Sequence, residues 1–144
     1  MSLVYLDTNP IIRFLTRDNP DQAARSRALF ERAARGEVTL LVPEAVVVEV
    51  VNVLSSRVTY NLPRAEIQRH LGNVLSLRGL RIPQKRTYLR ALELWVSTPR
   101  VRDFADALHV AHMERLRIGA IASFDHDFDR FPQIQRREPP LHGI

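Results

Sequence analysis

Apolar residues in this chain follow two alternating rhythms. "LVYL" (3–6), "VTLLV" (38–42), "LRI" (80–82) and "GAIASF" (119–124) are short continuous runs of strand length. Between them lie segments with helical spacing and helical punctuation. "NPDQAARSRALFERAARG" (19–36) offers Asn19 as N-cap, Pro20 at the first helical position and Gly36 as a stop. The segment that Pro43 opens is rich in valine, which favours strands. Its small or polar residues Ala45, Glu49, Asn52 and Ser56 nevertheless recur every three or four positions, forming one helical stripe. Residues 63–77 and 83–96 are predicted helices with a proline at their start, and residues 102–117 are the last long helix.

Strands alternating with helices imply a mainly parallel sheet covered on both faces. The expected fold is therefore α/β, a three-layer α/β/α sandwich around a short central sheet, with residues 1–144 as a single domain. In such sheets, ligand sites lie beyond the carboxyl ends of the strands. Two of the expected buried strands run directly into an aspartate, Asp7 after "LVYL" and Asp125 after "IASF". A carboxylate placed there is costly unless it is solvated, paired or metal-bound.

Composition narrows the setting. No apolar run approaches the length of about 20 residues needed to span a bilayer, and the N-terminal "MSLVYLD" has neither the basic region nor the cleavage site of a signal peptide. Cysteine is absent, which excludes disulfides, thiolate metal sites and cysteine nucleophiles. A cytoplasmic protein without a membrane partner is expected. The net charge is +5, and of 21 basic residues all but Lys85 are arginine. Codon usage in an arginine-favouring genome accounts for such a bias, yet the same guanidiniums can hold phosphates bidentately, so a nucleic-acid partner is permitted.

Candidate chemistry is acidic. "SFDHDFDRF" (123–131) sets Asp125, Asp127 and Asp129 at alternate positions, as in a calcium loop. That loop needs glycine sixth and glutamate twelfth from its first ligand, and Arg130 and Arg136 stand there instead. Any metal must draw ligands from elsewhere. Asp7, Glu49 in "AVVVEVV", Asp106 in "FADALHVA" and Asp125 all occupy apolar settings. Taken singly, each has a plain reading: Asp7 and Asp125 as helix caps, Glu49 and Asp106 on solvent-facing stripes. If they converge, their mutual repulsion calls for divalent cations, and all-oxygen ligation suits Mg²⁺ or Mn²⁺.

The motifs "VYLDTNPIIRFL", "VPEAVVVEVVNVL", "FADALHVAHM" and "GAIASFDHDFDRF", in this order, resemble the PIN-domain family, and more closely the VapC-like ribonuclease toxins of toxin–antitoxin pairs. The resemblance extends from about residue 3 to 131. It implies that Asp7, Glu49, Asp106 and Asp125 bind Mg²⁺ or Mn²⁺, supported by Thr8, Asn9, Asp103 and Ser123. It also implies cleavage of an RNA substrate, a homodimer, and a cognate antitoxin that blocks the site. Metal-assisted hydrolysis of a phosphodiester is the expected reaction. Arg13, Arg100 and Arg102 are candidate RNA contacts at the rim. Asp103 and Asp127 are further acids that can share the site, although alternation along an extended chain would turn Asp127 away from Asp125.

His109 and His112 lack the spacing and neighbouring glutamate of a zinc hydrolase, and packing or surface roles are expected for them and for His126. Phe124 and Phe128 are expected to anchor the acidic segment to the core. Two alternatives stand beside the nuclease: a non-catalytic PIN-like module that binds RNA or a partner, and a phosphatase using Asp7 as nucleophile. The phosphatase would need a second acid at position 9, where Asn9 stands.

Overall fold

The computed structural model describes residues 2–143, which fall into two compact units, one ending at Lys85 and one beginning at Arg86. In the first unit, β1 (Ser2–Tyr5), α1 (Thr8–Thr16), α2 (Pro20–Ala34), β2 (Val38–Leu41), α3 (Glu44–Ser55), α4 (Arg64–Leu75) and β3 (Leu80–Arg81) follow in order. The three strands form a parallel ladder in the order β1-β2-β3, with Ser2 opposite Val38 and Leu40 opposite Leu80. The predicted α/β class with parallel strands joined by helices is the observed one.

β2 is central because it alone pairs on both sides, and its Val38 and Leu40 are buried. Helix α2 begins where its sequence dictates: the Asn19 side chain accepts a hydrogen bond from the Gln22 amide at 3.1 Å, and Pro20 follows. The Phe14 and Phe30 rings meet edge to face at 4.9 Å and join α1 to α2. The valine-rich segment is helical, burying Val46, Val47, Val50, Val51 and Leu54 and leaving Glu49 and Asn52 exposed, as its stripe predicted. Gly79 enters β3 with φ +86°, and a Cβ there would lie 2.2 Å from the Ala33 carbonyl oxygen. Its own carbonyl accepts from the Leu40 amide, so the tight approach also completes the ladder.

One expectation fails in this unit. β1 is not a buried strand: Leu3, Val4 and Tyr5 are 54%, 43% and 62% exposed. Within its ladder β1 is an edge strand, paired only on the β2 side, and burial begins at Leu6.

The second unit holds most of α5 (Lys85–Ser97), then α6 (Phe104–Leu116), β4 (Ala120–Ala122), a 3₁₀ helix (His126–Arg130) and β5 (Gln135–Arg137). Trp95 and Phe104 pack edge to face at 5.7 Å, and the indole N–H donates to the Arg102 carbonyl. Arg90 grips both oxygens of Glu114, at 2.8 and 3.1 Å, and ties α5 to α6. β4 and β5 form a two-stranded parallel ladder within this unit. β4 is also shorter than the predicted run, and only Ile121 within it is partly covered. Among the described residues, no helix is long and apolar enough to cross a membrane.

Candidate metal centre

In the second unit, α6 and the 3₁₀ helix carry three acids to one place. Asp106 lies in the first turn of α6, while Asp125 and Asp127 open the 3₁₀ helix. One carboxylate oxygen from each lies within 4.8 Å of the others. The turn that presents them is built locally. The Ser123 hydroxyl accepts from the Asp125 amide at 3.0 Å, and the Asp125 carboxylate accepts from the Asp127 amide at 2.9 Å. This curl brings Asp127 round beside Asp125, where an extended chain would have separated them.

Behind the turn, Phe128 is 5% exposed and lies beside the His109 ring, with centroids 6.4 Å apart. Phe124 was expected to share this anchoring and does not: it is 68% exposed. Arg136 of β5 makes the second anchor, donating to Asp129, Glu138 and the Ser123 carbonyl. Its side chain is only 11% exposed. Hydrogen bonds from Arg136 and His126 hold Asp129 below the ordinary carboxylate range, so this third aspartate is already committed.

Asp106 is held in the opposite direction. Burial pushes its carboxyl up, and the charges of Asp125, Asp103 and Asp127 push it further, against a smaller opposing effect of His109. Asp106 is therefore not on a solvent stripe; it is half-buried in a helix that buries Ala107 and Val110. Among the described residues, the ion pair made to this cluster of three carboxylates is that of Arg130 with Asp127, at 3.5 Å. Oxygen donors in this arrangement fit a hard divalent cation such as Mg²⁺ or Mn²⁺. Asp103 sits at the N-cap of α6, but its side chain makes no capping bond.

In the first unit, Asp7 occupies the N-cap position of α1, yet its carboxylate accepts no capping hydrogen bond and the residue is exposed. The plain reading of Asp7 as a helix cap therefore fails. Thr8 is 3% exposed, and its hydroxyl has no partner among the described residues. Asn9 and Arg13 line a cavity of about 320 Å³. Arg13 is not a free rim arginine, because it bonds Asp18 and Gln22, each at 3.0 Å. Asp18 also accepts from Tyr60 at 2.6 Å and from Thr16, and these bonds lower its pKa to about 2. Glu49 projects from the exposed face of α3. Arg100 and Arg102 are exposed in the loop between α5 and α6.

Sequence reasoning left the place of Asp127 open, and the signal that settles it is Ser123. A hydroxyl two residues before Asp125 starts a chain of side-chain-to-backbone bonds that curls the segment.

A family model described as PIN domain matches residues 4–134. No curated protein matches the chain. Among solved structures, the crystal structure of VapBC2 from Rickettsia felis bound to a DNA fragment from their promoter aligns with 15% identity. The alignment covers 96% of this chain and 98% of that one, with a TM-score of 0.34, too loose a likeness to bear on function.

Proposed function

Since the chain belongs to the PIN domain family, we propose that it is a metal-dependent endoribonuclease, the toxin of a toxin–antitoxin pair. The observation that carries the metal-dependent part is the gathering of Asp106, Asp125 and Asp127 with their oxygens within 4.8 Å. These three residues would hold Mg²⁺ or Mn²⁺. The exposed, uncapped Asp7 and the exposed Glu49 are assigned to the same function by their motifs, "DTN" and "VVVEVV". Thr8, Asn9, Asp103 and Ser123 are supporting residues, and for Ser123 the support is concrete, since it orients the Asp125 backbone.

A bound divalent ion supplies activation of water and stabilisation of the leaving oxygen in phosphodiester hydrolysis. The chain's own part is to fix the carboxylates. Phe128 and Arg136 anchor the turn, and the Asp125–Asp127 bond sets its curl. The toxin reading, with a cognate antitoxin, a homodimer and a cytoplasmic location, rests on the likeness of the four motifs to VapC-like toxins.

Purified protein incubated with single-stranded RNA is expected to cleave it with Mg²⁺ or Mn²⁺ and not in EDTA. Asp7→Asn and Asp106→Asn are each expected to abolish cleavage while remaining folded by circular dichroism. Unchanged cleavage in Asp7→Asn would remove that residue from the site. Absence of cleavage in the wild-type chain with either metal would favour the non-catalytic binding module.

A further inference from the structure

Beside the acid cluster, the second unit has a broad open groove of about 650 Å³, lined among others by Ser97, Arg100, His126, Asp129 and Arg130. Its volume lies in the range of small-ligand sites, roughly 300–1,000 Å³. Its charge is set by which groups are already engaged. Asp129, the one carboxylate in the lining, is bonded by Arg136 at 3.0 Å and by His126 at 3.1 Å. Arg100 is exposed and carries no ion pair with the described residues. Arg130 has a single long contact, from its Nε to Asp127 at 3.5 Å, which leaves its terminal nitrogens available. The groove thus offers two guanidinium donors with its acid already satisfied, which suits an anion carried on a larger body.

The same Arg130 connects this basic wall to the carboxylate cluster, since Asp127 belongs to both contacts. We propose that the groove is a phosphate subsite for the RNA strand, in which Arg100 and Arg130 hold a neighbouring, uncleaved phosphate. That hold would position the strand for cleavage at the acids. The inference rests on the nuclease reading and adds to it the surface that holds the substrate backbone. Arg100 and Arg130 are positioning residues here, since they act on a phosphate that does not react.

Arg100 is the residue to test, because changing Arg130 would also disturb Asp127. In steady-state cleavage of a single-stranded RNA, Arg100→Ala is expected to raise KM about tenfold with kcat held within about twofold, as loss of one phosphate contact should. The slope of log affinity against log salt should fall by about 1. Arg100→Lys, which keeps the charge and loses the fork, should recover part of the affinity. A merely structural role for Arg100 would lower kcat or thermal stability and leave the salt slope unchanged, and that result overturns the proposal. Binding of a fluorescent RNA oligonucleotide by anisotropy in EDTA keeps the two readings apart. If the wild-type chain binds but does not cleave, and Arg100→Ala weakens binding with the lower salt slope, the subsite stands and the nuclease reading falls. If the wild type cleaves and Arg100→Ala matches it in KM and in salt slope, the subsite falls and the nuclease reading stands.

Discussion

Removing the charge of Asp106 should make the metal-free protein more stable, although it removes a group from the candidate centre. The oxygens of Asp106, Asp125 and Asp127 lie within 4.8 Å of one another, and burial and the neighbouring like charges are what push the Asp106 carboxyl up. At that separation, two unit charges repel by about 0.9 kcal/mol in a water-like medium and about 3.5 kcal/mol at an effective dielectric of 20. Asp125 is exposed and Asp127 half-buried, so the lower figure is nearer the mark. Two such pairs give Asp106→Asn a gain of about 1–2 kcal/mol, or about 3–8 °C in melting temperature for a chain of this size. Thermal unfolding followed by circular dichroism in EDTA measures it. With Mn²⁺ at a hundred times its dissociation constant, wild type should gain about 2.7 kcal/mol and the variant clearly less, so the order of stabilities reverses. The sign with pH follows from the raised carboxyl of Asp106. The folded state holds that proton more tightly than the unfolded chain, so wild type recovers relative stability as pH falls through the folded titration, and the variant's advantage shrinks. A variant that melts below wild type in EDTA at neutral pH would refute the reasoning, because it would mean the charge is paired rather than repelled.

Three further outcomes are expected. Asp18 should titrate near 2 by carboxyl NMR, and Tyr60→Phe should move it up toward its ordinary 3.8 by removing the first cause of the shift. Its contribution to stability is present above the ordinary value and is lost as pH falls through about 2. Phe128→Ala should cost about 3–5 kcal/mol in urea unfolding, and amide exchange across 123–130 should accelerate, because the turn loses its buried anchor. Phe104→Ala should cost a similar amount and shift the Trp95 fluorescence to the red, since the two rings are in contact.

Much of the fold was legible because the helices obey local rules. Asn19 caps α2 as its type suggests, and the stripe through Ala45, Glu49 and Asn52 overrode the strand preference of valine in α3. β5 was missed because "QRR" carries no apolar signal; it is held by pairing with β4 and by the bonds of Arg136, a residue that sequence alone shows only as a charge. The exposure of β1 was missed because an apolar run announces a strand and not what covers it. At the candidate centre, Asp106 and Asp125 were found by their apolar settings. Asp127 was left open because its placement depends on a turn made by hydrogen bonds rather than on periodicity.

Gly79 carries no chemistry, yet nothing else fits there. Its backbone angle disfavours every side chain, and the first atom of any side chain would collide with the Ala33 carbonyl. In a saturation library scored by function, position 79 would therefore look as intolerant as a catalytic acid, for reasons that are wholly steric. An amide in place of a candidate carboxylate should abolish cleavage and leave the chain folded, whereas any side chain at position 79 disturbs the fold itself. That contrast separates residues that perform the reaction from those that only let the chain close.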